Sequence, residues 1–348
     1  MIKTAIIGAS GYTGFELIRI LLAHPEAELV AVTSRQYKGM MVGEIFPALA
    51  GLTGLSFTDM DDLHAPDTIC DVDLVFTALP HGASQEVVSQ CAAKGIKVID
   101  LSADFRLKEP DIYREWYGEH RACELLKEAV YGLPELHREQ IKGAKVVANP
   151  GCYPTSAILG LAPLLRAGLI ETNSILIDAK SGVSGAGRGA NLSTSFVEVN
   201  DGFKAYSVGV HRHTPEIEQE LSSLAGEGIK VSFTPHLLPV SRGILSTIYA
   251  TLRQEMTTEA LRSVYDDLYE DEPFVRLMGM DNFPDISQVR GSNYCDIGVK
   301  VDGRTGRVII ISVIDNLIKG ASGQAVQNMN ILYDLPEETG LATHPSPI

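Results

Sequence analysis

No CxxC pair occurs in this chain of 348 residues, and no apolar run is long enough to cross a bilayer. The five cysteines, Cys70, Cys91, Cys123, Cys152 and Cys295, are odd in number and widely spaced. That excludes a disulfide framework and a zinc site and fits a reducing cytoplasm. Positive charge is short: 29 Lys and Arg stand against 44 Asp and Glu, for a net charge of −15. Nucleic acid and anionic membrane are therefore poor partners. An anionic small molecule would need a local cluster of bases. No internal repeat or low-complexity tract is visible. Met1-Ile2-Lys3-Thr4 leads directly into a strand, so no signal peptide and a cytoplasmic location are expected.

What is present is a chain too long for one core, so two domains are expected. Short apolar strands at Thr4 to Gly8, Glu28 to Thr33, Asp73 to Ala78 and Lys97 to Asp100 alternate with helical patterns. The pattern predicts an α/β fold with a doubly wound parallel sheet. Lys145 to Ala148 adds a strand before a helix over Ser156 to Leu165, and Ser174 to Ala179 a further strand. Later β-rich stretches at Ile229 to Thr234, Gly243 to Thr251, Cys295 to Val301 and Arg307 to Ile314 predict an open mixed sheet in an α+β second domain. An apolar helix from Ala325 to Leu332 is expected to return to the first domain, because its apolar face needs cover. The expected domains are 1–149 with 315–348, and 150–314.

Gly8-Ala9-Ser10-Gly11-Tyr12-Thr13-Gly14 joins the first strand to the first helix. Glycines there let main-chain N–H groups approach a pyrophosphate at a helix N-terminus. The second strand ends in Thr33-Ser34-Arg35, with no carboxylate to take a ribose 2′-hydroxyl. A hydroxyl and a guanidinium suit a 2′-phosphate, so NADP(H) is the expected cofactor.

Asn149-Pro150-Gly151-Cys152-Tyr153-Pro154-Thr155 sets a cysteine at the mouth of a helix. Pro154 suits a first turn, and its ring should push Tyr153 out of the helical region, starting the helix right after Cys152. A thiol there meets unpaired N–H groups and the positive end of the helix dipole, which favour thiolate and hold an oxyanion. His211-Arg212-His213-Thr214-Pro215-Glu216 offers an acid/base partner. Thr214 or His213 is expected to cap that helix, and Glu216 to orient an imidazole. Arg106, after the fourth strand, is placed to grip phosphate. Arg188 and Arg242 are weaker candidates for a substrate carboxylate. His24, His64, His120, His137 and His344 read as solvated.

A dinucleotide site, an activated cysteine and a histidine suit reduction of an activated acyl group through a thioester. These motifs, with Ser181-Gly182-Val183-Ser184-Gly185-Ala186-Gly187-Arg188, resemble the N-acetyl-γ-glutamyl-phosphate reductase family over nearly the whole chain. The resemblance implies NADPH-dependent reduction of N-acetyl-γ-glutamyl phosphate to the semialdehyde in arginine synthesis. The implied fold is that of the aspartate-semialdehyde dehydrogenase superfamily: a Rossmann-type domain plus a catalytic and dimerisation domain, as a homodimer or homotetramer. Cys152 is implied as nucleophile and His213 as general acid/base, with Glu216 in support. Gly8, Ser10, Gly11, Tyr12, Thr13, Gly14, Ser34, Arg35, Ser181, Gly182 and Asn316 are the candidate cofactor residues. Arg106, Asn149, Arg188, His211 and Arg212 are the candidate substrate residues. No metal is expected. Two readings stay open at this stage: a similar reductase of carrier-linked aminoadipyl phosphate in lysine synthesis, and a non-enzymatic NADP(H)-binding redox sensor. Aspartate-semialdehyde dehydrogenase itself usually carries a glutamine-asparagine-cysteine run, where Pro150-Gly151 stand here.

Overall fold

The structure, a computed structural model, describes residues 1–59 and 72–346. Cys70 and His64 lie outside the described residues. The chain divides into two compact units: Met1–Pro150 with Ala321–Ala342, and Gly151–Gly320 with the segment from Thr343. The return to the first unit therefore comes at Ala321 and not at residue 315. Asp315 Oδ2 accepts from Gly291 N–H at 2.7 Å and Asn316 Oδ1 from Gly243 N–H at 2.8 Å, which ties both residues to the second unit. Thr343 bonds the Gly291 carbonyl there as well.

The first unit holds a seven-stranded sheet in the order β3-β2-β1-β4-β5-β7-β6. The strands are β1 (Ile2–Ile7), β2 (Ala27–Thr33), β3 (Phe57–Thr58), β4 (Leu74–Thr77), β5 (Lys97–Asp100), β6 (Val130–Tyr131) and β7 (Val146–Ala148). All pairings are parallel. Such a sheet is covered on both faces, which is why its strands read as unbroken apolar runs. Among helices of eight residues or more, the unit has α1 (Tyr12–Leu22), α2 (Ser84–Ala93), α3 (Pro110–Tyr117) and α4 (Pro134–Lys142). The strand order reverses between β1 and β4, the place where open α/β sheets take ligands.

The closing helix Gly323–Leu332 packs in this first unit against α1, α4 and β5. It is buried all round, not on one face alone: Gln324, Gln327, Asn328 and Asn330 are as inaccessible as its aliphatic residues. Asn328 donates to the Gly132 carbonyl at 2.8 Å, and Asn330 donates to the Glu337 and Thr339 carbonyls. Buried amides persist only when bonded in this way. Asn330 Oδ1 also meets His24 Nε2 at 3.0 Å, so His24 is buried and not solvated.

The second unit carries a mixed sheet in the order β12-β13-β14-β11-β8-β10-β9. Its strands are β8 (Leu176–Gly182), β9 (Lys204–Ala205), β10 (Ser232–Leu238), β11 (Ile244–Thr251), β12 (Val275–Leu277), β13 (Cys295–Asp302) and β14 (Arg307–Ile314). Helix α5 (Cys152–Arg166) lies on β11 and β14, flanked by α6 (Thr214–Ala225) and α7 (Thr258–Tyr269). Tyr265 and Tyr269 donate their buried hydroxyls to the Gly160 and Leu159 carbonyls at 2.7 and 2.6 Å. The Leu159 carbonyl is freed because Pro163, four residues on in α5, has no N–H to offer it.

Strand β10 starts three residues later than its apolar pattern implies. The Ile229 N–H bonds Ser222 Oγ and the Val231 N–H bonds Glu218 Oε1, so side chains of α6 take the donors a ladder would need. Ser181 and Gly182 complete β8 opposite Ile244 and Leu237 to Leu238.

Candidate active site

Two features of the glycine loop shape the first unit's ligand site. Gly8 has φ +85°, and a Cβ there would meet the Ala78 carbonyl oxygen at 2.7 Å. A Cβ on Gly14 would meet the Ala9 carbonyl oxygen at 2.2 Å, so only glycine lets α1 sit this close to β1. A cavity of about 920 Å³ opens beside the loop. Gly8, Ser10, Gly11, Ser34 and Arg35 line it, as expected of a dinucleotide site. Tyr12, Thr13 and Gly14 do not: Gly14 is packed on Ala9, and the Thr13 carbonyl accepts from Ser322 Oγ.

The opposite wall was not read from the sequence. It comes from Leu79, Pro80, Gly82, Ala83, Gln85, Glu86, Ser89, Arg121 and Ala122. Asp104, fully buried, holds it together. Its carboxylate accepts from Gly82 N–H at 2.7 Å, Ser84 N–H at 3.1 Å and Tyr113 O–H at 2.7 Å. His120, expected to be solvated, is buried beside it. Its Nδ1 accepts from Ala122 N–H, so Nε2 carries the proton donated to the Asp104 carbonyl at 2.8 Å. Burial pushes the His120 pKa below its ordinary value, which keeps that neutral form.

Arg106, expected on a phosphate, is buried, with Nε on the Asn149 carbonyl and an Nη2 on the Leu101 carbonyl, each at 2.8 Å. It ties the loop after β5 to the turn after β7. Asn149, expected on the substrate, is also buried. Its amide donates to the Ala321 carbonyl and its oxygen accepts from Asn328. With donor and acceptor both engaged, Asn149 braces the turn after β7 against the segment at Ala321 and the closing helix.

In the second unit Cys152 is a free, half-buried cysteine and the first residue of the fifteen-residue helix α5. The helix begins at Cys152 itself, and Tyr153 is helical despite preceding Pro154. First-turn residues need not donate their N–H groups, so the proline costs nothing there. Gly151 is the N-cap, and its N–H donates to Glu216 Oε1 at 2.8 Å. Glu216, 1% exposed, thus fastens the turn that ends in the thiol. Gly320 closes in from the other side: a Cβ there would stand 2.8 Å from the Cys152 Cβ. Gly320 belongs to a π-helical turn, Ile318–Ser322, a form that recurs at functional sites.

Tyr153 carries the histidines. Its ring meets His211 edge-on at 5.5 Å and His213 at 6.0 Å, and the two imidazoles are 4.9 Å apart. Neither His213 nor Thr214 caps α6 with its side chain. His213 is the N-cap, but with the helical dihedrals φ −80° and ψ −10° in place of the extended backbone from which side chains cap. His211 Nδ1 accepts from His213 N–H at 3.1 Å, and Phe233 and Tyr206 complete an aromatic box around it. Burial first, and the Arg212 guanidinium second, push the His211 pKa down to about 4. His211 is therefore a neutral imidazole near neutral pH, and Arg212 itself is exposed.

That shift has a consequence for stability. The unfolded chain binds a proton at His211 below about 6.5, and the folded protein only near 4. Stability is then full above pH 6.5 and falls as pH drops from 6.5 to 4, by at most a few kcal/mol. Urea unfolding of His211→Gln against the unaltered protein should show a shallower acid slope in that window; identical slopes would contradict the burial argument.

Ser181, Gly182 and Asn316, expected on the cofactor, lie in the second unit. Asn316 donates to Ser184 Oγ at 2.9 Å and accepts from Gly243, which ties the end of β14 to the loop after β8. A Cβ on Gly182 would strike the Arg242 nitrogen at 2.8 Å. Arg242 pairs with buried Asp315 at 3.5 Å, and Arg188 is exposed. Among the described residues no cluster of histidine, cysteine or carboxylate suits a metal ion, and no helix is long and apolar enough to cross a membrane.

A parallel nucleotide-binding sheet followed by a mixed-sheet unit with a helix-opening cysteine defines a semialdehyde dehydrogenase architecture. Residues 3–144 match the family "Semialdehyde dehydrogenase, NAD binding domain" and residues 152–316 match "Semialdehyde dehydrogenase, dimerisation domain". Aspartate semialdehyde dehydrogenase II of Vibrio cholerae shares the fold at a TM-score of 0.75 and 18% identity, covering 96% of this chain and 98% of that one. The N-acetyl-gamma-glutamyl-phosphate reductase of Desulfotalea psychrophila is 57% identical over 346 residues, 99% of each chain. That of Pelotomaculum thermopropionicum is 58% identical over 98% of each. The chain belongs to the N-acetyl-gamma-glutamyl-phosphate reductase family and is an oxidoreductase with an NAD(P)-binding domain.

Proposed function

We propose that this enzyme reduces N-acetyl-γ-glutamyl phosphate to N-acetylglutamate 5-semialdehyde with NADPH, in arginine biosynthesis. The observation that carries the reading is the free, half-buried Cys152 opening α5 with two imidazoles packed on its neighbour Tyr153. The Cys152 thiolate attacks the acyl carbon, the C–O bond to phosphate breaks, and inorganic phosphate leaves. NADPH, when bound, supplies the hydride that the thioester carbon accepts. The resulting hemithioacetal collapses, expelling the thiolate and releasing the aldehyde. His213 is the proton carrier in this scheme, because His211 has its Nδ1 engaged by the His213 N–H and is boxed in by Tyr153, Tyr206 and Phe233. Main-chain N–H groups at the start of α5 supply the oxyanion site, and Glu216 keeps their turn in place. Arg106 and Asn149 act as positioning residues, while Arg188 and Arg212 are exposed cations suited by charge to an anionic substrate.

The reading is tested in reverse: N-acetylglutamate semialdehyde, NADP+ and phosphate are mixed with the protein and NADPH absorbance is followed. Phosphate-dependent NADPH formation that iodoacetamide removes is the expected result. Activity only on carrier-linked aminoadipate semialdehyde would move the enzyme to lysine synthesis.

The enzyme works as a homo-oligomer in the cytoplasm. Leu192, Phe196, Val197, Phe203, Val208 and Val210 are 59 to 82% exposed within one excursion of the second unit. A patch of that kind marks an association surface. The matched family's name, a dimerisation domain over 152–316, points to a second copy as its cover. Light scattering that returned the monomer mass of 37.6 kDa would remove this part of the reading.

A further inference from the structure

The first unit's cavity carries two exposed arginines, Arg35 on one wall and Arg121 on the other. Neither is ion-paired among the described residues, whereas Arg19, Arg114, Arg138, Arg253, Arg262, Arg276 and Arg304 each lie against a carboxylate. In a chain of net charge −15, two guanidiniums on one ligand cavity form a local cluster of positive charge. Arg35 follows β2, where a ribose 2′-substituent is read. Arg121 lies 86 residues further on, and no sequence signal near it marks a nucleotide site.

The main chain of Arg121 is fixed with care. Its N–H donates to Gln85 Oε1 at 2.7 Å, and Gln85 Nε2 donates to the Tyr113 hydroxyl at 3.1 Å. That hydroxyl donates to Asp104, the same carboxylate that holds Gly82 and Ser84. On the other flank, His120 is locked between Asp104 and Ala122. One buried cluster therefore sets both the start of α2 and the backbone of Arg121, while the guanidinium stays at the cavity. A stiff backbone under a solvated cation lowers the ordering cost of gripping an anion.

We infer that Arg121 is a cofactor-specificity residue, a second cationic arm that reads the adenosine 2′-phosphate of NADPH together with Arg35. The inference rests on NADPH being the preferred cofactor. Glu86, also on this wall, accepts from Gln90 Nε2 and forms no ion pair with Arg121, which has none among the described residues. Guanidinium–phosphate bonds are charge-assisted, and NADH lacks the group they read.

The test is binding of NADPH, NADH and the fragment 2′,5′-ADP by fluorescence or calorimetry to the full-length protein and to Arg121→Ala, Arg121→Lys and Arg35→Ala. Arg121→Ala should weaken NADPH and 2′,5′-ADP by roughly 10- to 100-fold and leave NADH within about twofold. Arg121→Lys should recover part of the loss, since a point charge replaces a fork. Equal weakening of NADPH and NADH would reduce Arg121 to a wall residue and overturn the inference, as would no change in either. Failure of the underlying reading looks different: the unaltered protein would then bind NADH as well as NADPH.

Discussion

Cys152→Ala is expected to lower turnover by roughly 10⁴-fold or more, with NADPH affinity close to that of the unaltered protein. The thiol is the only protein group in the scheme that forms a bond to substrate carbon, so nothing replaces it. Alanine keeps the first turn of α5, because it is the best helix former and no larger than cysteine. It also respects Gly320, whose Cα lies against residue 152 from the far side. The cofactor cavity is lined entirely by residues of the first unit, so its affinity has no reason to change. Steady-state turnover and equilibrium NADPH titration of the same preparation check the two halves. Retained turnover would end the thioester mechanism; lost turnover with lost NADPH affinity would point to a folding defect instead.

His213→Asn should slow the reaction by on the order of 100-fold or more, the usual loss for an acid/base group. The effect should fall on kcat more than on KM. His211→Asn should be milder, because His211 is neutral over this range and serves through its Nδ1, which accepts the His213 N–H. Asparagine at 211 still offers an acceptor there. If His211→Asn proves the more severe change, the two histidines have exchanged roles and the box around His211 is the acid/base site.

The chain announced its parallel sheet clearly. Lys97 to Asp100, in that sheet, is a strand over the bounds its apolar run implies. Period and burial coincide in such runs, since a strand covered on both faces admits only apolar residues. The helix-opening cysteine was legible too, because Gly151 and Pro154 bracket it with local backbone rules. Legibility ended where a side chain's partner is remote in sequence. Glu216 looked like a support for an imidazole three residues away, and its bond goes to Gly151, 65 residues back. Arg106 and Asn149 looked like ligands for an anion and are spent on main-chain carbonyls and on Asn328. Asn316 looked like a cofactor residue and braces Gly243 and Ser184.

The sequence by itself therefore determined what short-range physics controls: the alternation of strands and helices, the glycine loop after β1, and a thiol at a helix mouth. It determined the family as well, through motifs in a fixed order. The tertiary structure decided which polar groups are free and which are engaged. The Asp104 cluster that seats Arg121, the box that keeps His211 neutral, and the Glu216 bond behind Cys152 each join residues many positions apart. A donor's partner is set by which elements pack together, and desolvation, which moved the His211 pKa to about 4, exists only once that packing has formed.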